Sequence, residues 1–286
     1  MQRLEDKAEL LLEIDDIVVT MTVDISMGFK RKKLSNVELA DMDEDTRVRI
    51  EKILDGVKSS RDFDKVVDQL LNLPWTEVVT RNMGGQEKKI LKTHLVRYLE
   101  GFQTENAEFK IEKTDRYAME GFQGAKIVAG KEVKKGAKIS SLRGTTAPIS
   151  LEQEKALGDR GVDTSCVSWS QVSKSQLIIS GPTCFINHDC DPNCKFVVLP
   201  GRREICFEAT RRIKEGEEMT IDYGPCYFGR DNKDCQCLTC EDQKKGWFRK
   251  KKSEDRNDRD LYNEDEEIRI VKVGKLSSFF LHFHFQ

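Results

Sequence analysis

Apolar side chains recur at helical spacing through the first third of the chain, then change to the shorter spacing of strands. Leu10, Leu11, Ile14 and Val18 share a face, as do Ile50, Ile53, Leu54 and Val57, then Val66, Val67, Leu70 and Leu71, then Ile90, Leu91, Leu95, Tyr98 and Leu99. That pattern predicts amphipathic helices from about residue 3 to 103. Gly84-Gly85 and Pro74 punctuate the stretch, and Pro74 is expected to open a helix with Asn72 as its cap. After Gly101 the runs Phe109 to Glu112, Ala125 to Ala129, Lys138 to Leu142, Leu177 to Ile179, Lys195 to Leu199 and Ile205 to Ala209 read as strands. Lys135-Gly136, Pro200-Gly201 and Lys214-Glu215-Gly216-Glu217 supply the turns between them. The expectation is a mixed α+β chain whose β part is compact and mostly antiparallel, with no internal repeat.

The end of the chain changes character again. Lys244 to Lys252 holds six basic residues in nine, and Glu254 to Glu267 holds eight acidic residues against two arginines. Such blocks bury too little apolar surface to order themselves. The last ten residues, Ser277 to Gln286, are apolar and have no functional reading; a packing strand or a variant C-terminus would account for them. At 286 residues the chain can bury a sizeable core, and a single domain with helical additions fits best. A net charge of -2 excludes the global basic field that drives unspecific nucleic-acid binding, so any contact with DNA must be local. No run approaches the eighteen or so apolar residues of a membrane span, and Met1-Gln2-Arg3 leads into charged helix rather than a signal segment. A soluble, intracellular protein is expected.

Eight of the nine cysteines fall between Cys184 and Cys240, and none lies in the helical first third. The stretch opens with Asn187-His188-Asp189-Cys190-Asp191-Pro192-Asn193-Cys194 and closes with Cys235-Gln236-Cys237-Leu238-Thr239-Cys240. One distant cysteine plus a tight C-x-C-x2-C provides the four soft thiolates of a closed tetrahedral zinc site. A secreted disulfide framework is the competing explanation, and an odd cysteine count in a long, lysine-rich chain argues against it. A DNA-binding zinc finger would need paired ligand spacing and a basic recognition helix, and the sequence has neither.

Gly181-Pro182-Thr183-Cys184-Phe185-Ile186-Asn187-His188-Asp189-Cys190, continued by Asp191-Pro192-Asn193-Cys194-Lys195-Phe196-Val197, resembles the core motif of SET-domain protein lysine methyltransferases. Glu217-Glu218-Met219-Thr220-Ile221-Asp222-Tyr223-Gly224 resembles their second motif, and the C-x-C-x2-C their post-SET zinc segment. Asp115-Arg116-Tyr117, Gly124-Ala125-Lys126-Ile127-Val128-Ala129, Cys194-Lys195-Phe196-Val197 and Tyr227-Phe228-Gly229 draw the likeness toward the suppressor-of-variegation type histone H4 lysine-20 methyltransferases. The resemblance covers roughly residues 20 to 248 and is strongest from 115 to 240. Departures are an extra residue in Met119 to Gln123, a longer Pro200-Gly201-Arg202-Arg203 turn, and Ile221 where an aromatic residue is often found.

The resemblance implies a helical N-terminal region (1–103), a SET-type β domain of the β-clip kind with a threaded C-terminal segment (104–226), a post-SET zinc cap (227–248) and a charged tail (249–286). It implies S-adenosylmethionine as methyl donor and structural zinc held by Cys190, Cys235, Cys237 and Cys240. Cys194 is the rival fourth ligand, while Cys184 and Cys206 are expected to pack as small apolar strand residues. Tyr223 is the expected catalytic hydroxyl, and Ser165 is expected near the lysine channel, where its size would bear on methyl number. The donor pocket would be formed by Tyr117, Ala118, Met119, Glu120, Gly124, Ala125, Asn187 and His188, with Phe228 closing the channel or stacking on the donor. Trp169 is expected in the core.

The implied activity is di- or trimethylation of lysine 20 on histone H4 in nucleosomes, in a nuclear, chromatin-associated protein. An extended, basic histone tail suits recognition by strand addition, with Glu217, Glu218 and Asp222 as candidate partners for its cations. The basic run Arg249-Lys250-Lys251-Lys252 could serve nuclear import or a weak contact with nucleosomal DNA. The alternatives are a catalytically inert SET-like chromatin-binding module and a methyltransferase acting on another protein lysine; retention of Tyr223 beside Asn187-His188 favours an enzyme.

Overall fold

The computed structural model describes residues 2–28, 33–35, 38–57, 62–103, 105–116, 124–159, 166–170, 175–199, 203–225 and 227–249. Tyr117, Ala118, Met119, Glu120, Ser165, the Pro200-Gly201-Arg202 turn, the Trp169 side chain and the tail from Lys250 onward lie outside the described residues.

Among the described residues six helices occupy the region where helical spacing was found: α1 (Gln2–Met21), α2 (Val23–Met27), α3 (Glu44–Val57), α4 (Phe63–Leu71), α5 (Pro74–Val79) and α6 (Gly85–Glu100). Leu11, Ile14, Val18, Ile50, Leu54, Val57, Val66, Val67, Leu70, Leu91, Leu95, Tyr98 and Leu99 are buried as the periodicity requires. Asn72, however, does not cap α5: it closes α4, and Leu73 is the N-cap ahead of Pro74. The reason is local, because a proline forces the residue before it into the extended conformation that an N-cap needs. At α6 the Glu87 carboxylate reaches back to accept the Gly84 N–H at 2.6 Å, satisfying one of the free donors of the first turn.

The β part begins with an antiparallel pair, β1 (Phe109–Thr114) and β2 (Gly124–Ala129). The main sheet contains β3 (Lys138–Ile149), β4 (Val167–Ser170), β5 (Ser175–Ser180), β7 (Cys194–Val198) and β8 (Glu204–Ala209), antiparallel throughout and ordered β4-β5-β3-β8-β7. All six strands expected from the sequence are present, most of them extended by one or more residues. Pro148 is tolerated in the long central strand because it lies beyond the stretch, ending at Thr145, that pairs with β8.

Two elements carry no periodic signal: β6 (Asn187–His188) and β9 (Thr220–Ile221), which pair in parallel. They lay the two motifs side by side. Helix α7 (Leu151–Asp159) follows β3, its start marked by Ser150 and Gln153, each bonding the other's backbone N–H at 2.9–3.1 Å.

Helices and strands share one hydrophobic core. Ile14, Val18, Ile50, Leu70, Leu95 and Tyr98 belong to the same buried cluster as Phe109, Ile127, Phe185, Ile186, Phe207 and Ile221. Polar ties reinforce the join: Arg97 on α6 donates to Glu204 Oε1 at 2.8 Å and to Thr145 Oγ1 at 2.6 Å. Among the described residues no helix is long and apolar enough to cross a membrane.

Candidate active site and zinc centre

Gly181 opens the first motif with a φ of +113°, and a Cβ there would meet the Arg143 carbonyl at 2.9 Å, so only glycine fits. Its N–H is gripped by both oxygens of Asp15, at 2.8 and 3.1 Å. Asp15 is fully buried in α1 and also accepts the Tyr98 hydroxyl at 3.2 Å, with His94 Nδ1 3.4 Å away. This helical anchor fixes the start of the 3-10 turn Pro182–Phe185, where Phe185 packs edge-on to Tyr98. The chain leaves that turn at Ile186 and enters β6.

The second motif is locked onto the first by side-chain amides and backbone. Asn193 donates to the Glu218 carbonyl at 2.7 Å and accepts from Thr220 N–H at 2.9 Å, and Asp189 N–H donates to Ile221 O at 3.0 Å. Tyr223 follows β9, and its hydroxyl donates to the Ile186 carbonyl at 2.5 Å. The Tyr223 phenol is therefore held against the backbone of the first motif.

Tyr223 sits in an aromatic cluster. Its ring centroid is 4.7 Å from Tyr227 and 6.4 Å from Phe228, nearly parallel to the latter, and the His188 ring lies 5.6 Å from Tyr223 and 5.2 Å from Phe228. Such surroundings exclude water and so disfavour a charged group. Asn187 is half-buried, its amide donating to Glu218 Oε1 at 3.0 Å and to the Ala125 carbonyl at 3.4 Å. Ala125 on β2 thus meets Asn187, with Gly124 next to it at the start of the strand. Gly124 also has a packing reason: a Cβ there would come within 3.1 Å of Thr114 Cγ2 on β1.

The cysteines converge from two distant segments. Cys190 Sγ lies 3.6 Å from Cys240 Sγ and 3.9 Å from Cys235 Sγ. Zinc–sulfur bonds of ~2.3 Å at tetrahedral angles put sulfurs ~3.8 Å apart, so these distances fit a zinc ion. Cys237 completes the set and accepts N–H bonds from Cys190 and Cys240, both at 3.4 Å. The hydrogen bond from Cys235, followed by those two N–H groups, holds the Cys237 thiol down to about 5. Burial pushes Cys190 and Cys240 up, and the bond shared with Cys237 pushes Cys235 up. Four crowded thiols cannot all ionise by themselves; a divalent cation lets them.

His188 also brings a ligand atom within 4.8 Å of those of Cys190, Cys235 and Cys237. Its bonds give it another task. Nδ1 accepts the Tyr223 backbone N–H at 3.1 Å, so the neutral ring carries its proton on Nε2, which lies 3.3 Å from Cys190 Sγ. Burial pushes the His188 pKa below its ordinary value, which keeps the ring neutral. His188 is thereby a donor to the Cys190 sulfur and an acceptor for the Tyr223 N–H, while the Cys240 sulfur lies 3.6 Å from that of Cys190.

Cys194 is not near this cluster. It is buried on β7 in the main core, its thiol pushed up to about 12 by desolvation, because the strand turns its side chain inward. Cys206 packs on β8 as expected, but Cys184 is on the 3-10 turn, half-buried, and donates to Ile179 O at 3.0 Å. Of the acidic residues expected to meet substrate, Glu217 is bound by Arg211, Lys214 N–H and Asn193 and Glu218 by Asn187. Asp222 remains exposed.

Two joints of the cysteine segment were not foreseen. Asp189 Oδ2 accepts the Thr239 N–H at 3.3 Å, and Arg116 donates to Gln236 O at 3.2 Å and to Glu241 Oε2 at 2.8 Å. The hint for the first was an acid directly before a metal-ligand candidate; for the second there was only an arginine inside a family-like triplet.

A tyrosine hydroxyl pinned between two motifs, beside a cysteine-capped segment, is the arrangement the SET resemblance calls for. The family model for the SET domain matches residues 88–224. Histone-lysine N-methyltransferase Suv4-20 of Caenorhabditis briggsae is 30% identical over 239 residues, covering 83% of this chain and 72% of that protein. Its namesake in Caenorhabditis elegans is 30% identical over 239 residues, covering 83% of this chain and 81% of that one. Histone-lysine N-methyltransferase set9 of Aspergillus fumigatus is 32% identical over 235 residues, 81% of this chain and 37% of the fungal protein. The chain belongs to the SET-domain histone-lysine N-methyltransferases, enzymes that use S-adenosylmethionine.

Proposed function

We propose that this enzyme methylates lysine 20 of histone H4 in nucleosomes, to the di- or trimethyl state, as a nuclear, chromatin-associated protein. The observation that carries the reading is the likeness to two proteins named Suv4-20 along 83% of the chain, together with motif residues from 115 to 240 that resemble the H4 lysine-20 type. The cofactor supplies an activated methyl on a sulfonium sulfur. Asn187, His188, Gly124 and Ala125 are assigned to its pocket, along with Tyr117, Ala118, Met119 and Glu120. Zinc is assigned to Cys190, Cys235, Cys237 and Cys240, as a structural ion that fixes the segment following Tyr223.

The attacking lysine must be neutral, and its reference pKa of ~10.4 opposes that. Tyr223, Tyr227 and Phe228 lower it by excluding water from the ammonium. The Tyr223 hydroxyl donates a hydrogen bond to the Ile186 carbonyl, so its phenolic oxygen would meet an incoming amine as an acceptor. That oxygen and the carbonyl together form a polar wall for C–H···O contacts with a methyl group. Alignment of the amine with the donor carbon supplies much of the remaining acceleration. Ser165 is assigned to the channel, with a bearing on methyl number.

The test is mass spectrometry of recombinant nucleosomes incubated with purified protein and isotopically labelled cofactor. Label on histone H4 lysine 20, reduced on the order of a hundredfold by Tyr223→Phe, is the expected result. Label absent from histone H4 and present on another histone would refute the substrate assignment and leave the enzyme class intact.

A further inference from the structure

Asn232 ties the cysteine segment to the aromatic cluster. Asn232 is buried at the end of the 3-10 turn Arg230–Asn232, with a φ of +52°, a left-handed conformation that asparagine adopts more readily than most residues. Its Nδ2 donates to the Gly224 carbonyl at 2.9 Å, and its Oδ1 accepts the Phe228 N–H at 3.0 Å. The carboxamide therefore bridges both ends of the segment that starts immediately after Tyr223 and carries Tyr227 and Phe228. Its backbone carbonyl accepts the Cys235 N–H at 3.0 Å, and Phe228 O accepts the Asp234 N–H at 2.9 Å. One residue thus meets a zinc-ligand candidate through its backbone and the ring-bearing segment through its side chain.

The chemistry is specific to an amide. Gly224 presents an acceptor and Phe228 a donor, so the spanning group must offer one donor and one acceptor at the same reach. An aspartate keeps the acceptor but turns a charged oxygen toward the Gly224 carbonyl; an alanine leaves both backbone groups without their partner.

We infer that Asn232 is a positioning residue for methyl transfer, setting where the Phe228 ring stands relative to the Tyr223 hydroxyl. The inference rests on the reading that Tyr223 and Phe228 wall the lysine channel. A staple that served only the cysteine fold would act through zinc retention; a positioning residue acts through the rings, and the two can be separated.

The experiment measures kcat and KM on recombinant nucleosomes, and zinc content, for the full chain carrying Asn232→Ala, Asn232→Asp, Phe228→Ala, and Asn232→Ala combined with Phe228→Ala. The expected result is that both Asn232 variants retain zinc and lose kcat roughly ten- to hundredfold, with KM for nucleosomes changed less than threefold. Once Phe228 is alanine, the further loss from Asn232→Ala should shrink below threefold, because the ring to be positioned is gone. Wild-type turnover in the Asn232 variants, or losses that multiply in the double variant, would overturn the inference. So would loss of zinc from both Asn232 variants. Wild-type turnover in Phe228→Ala would instead sink the channel reading, and this inference with it.

Discussion

Asp15 is far from the chemistry in sequence, yet replacing it with alanine should unsettle the whole molecule. The variant removes the acceptor for two buried donors, the Gly181 N–H and the Tyr98 hydroxyl. Each buried donor left without a partner costs about 1–3 kcal/mol, giving about 2–6 kcal/mol together. Relief of a buried carboxylate offsets part of this, so about 3 kcal/mol is expected. That is a large share of the ~5–15 kcal/mol that stabilises a typical domain. At ~2–4 °C per kcal/mol for a chain of this size, Tm should fall by about 6–12 °C in a thermal melt. Asp15→Asn keeps an acceptor for one donor and should fall between the variant and wild type. If Asp15→Ala melted within about 2 °C of wild type, the claim that α1 anchors the first motif through this carboxylate would be wrong.

Zinc content measured by metal analysis under chelator competition should separate the roles of two neighbouring residues: Cys240→Ser loses the ion, whereas His188→Asn keeps it with affinity reduced about ten- to hundredfold. The reverse pattern would make His188 the ligand. Stability should also depend on pH through Glu100, whose carboxyl at the end of α6 is pushed up to about 7, chiefly by burial. Between its ordinary value of 4.5 and about 7 the native state holds a proton that the unfolded chain has released, so this group makes stability fall as pH rises through that window. Glu100→Gln should therefore stabilise the protein by about 1–2 kcal/mol at pH 8, after allowing for partial solvent screening, and by nothing near pH 4; an equal gain in urea denaturation at both values would contradict this.

Helix and strand positions were legible because each depends on a local period. Leu11, Ile14 and Val18 point inward whatever α1 packs against, and the six predicted strands stand where short apolar runs are bounded by turns. Helix α7 is marked by a local signal of its own, the reciprocal Ser150–Gln153 bonds at its start. Asn72 misled because a capping residue type two positions before a proline is only a propensity, and the proline's constraint on Leu73 prevailed. The C-x-C-x2-C spacing likewise announced a metal site, since three of its thiolates are neighbours along the chain.

The sequence by itself determined the α+β class, the helical and β regions, the cysteine-rich segment and the two motifs, because periodicity, turn chemistry and ligand spacing act over a few residues. Only the tertiary structure decided that Cys190 rather than Cys194 meets the C-x-C-x2-C, that Asp15 holds Gly181 from 166 residues away, and that His188 faces a cysteine on one side and Tyr223 on the other. The last of these depends on the parallel pairing of β6 with β9, two residues each, which no local pattern encodes. They are fixed by the shared core beneath them, where burial and hydrogen-bond satisfaction act on groups that are neighbours in space and strangers along the chain.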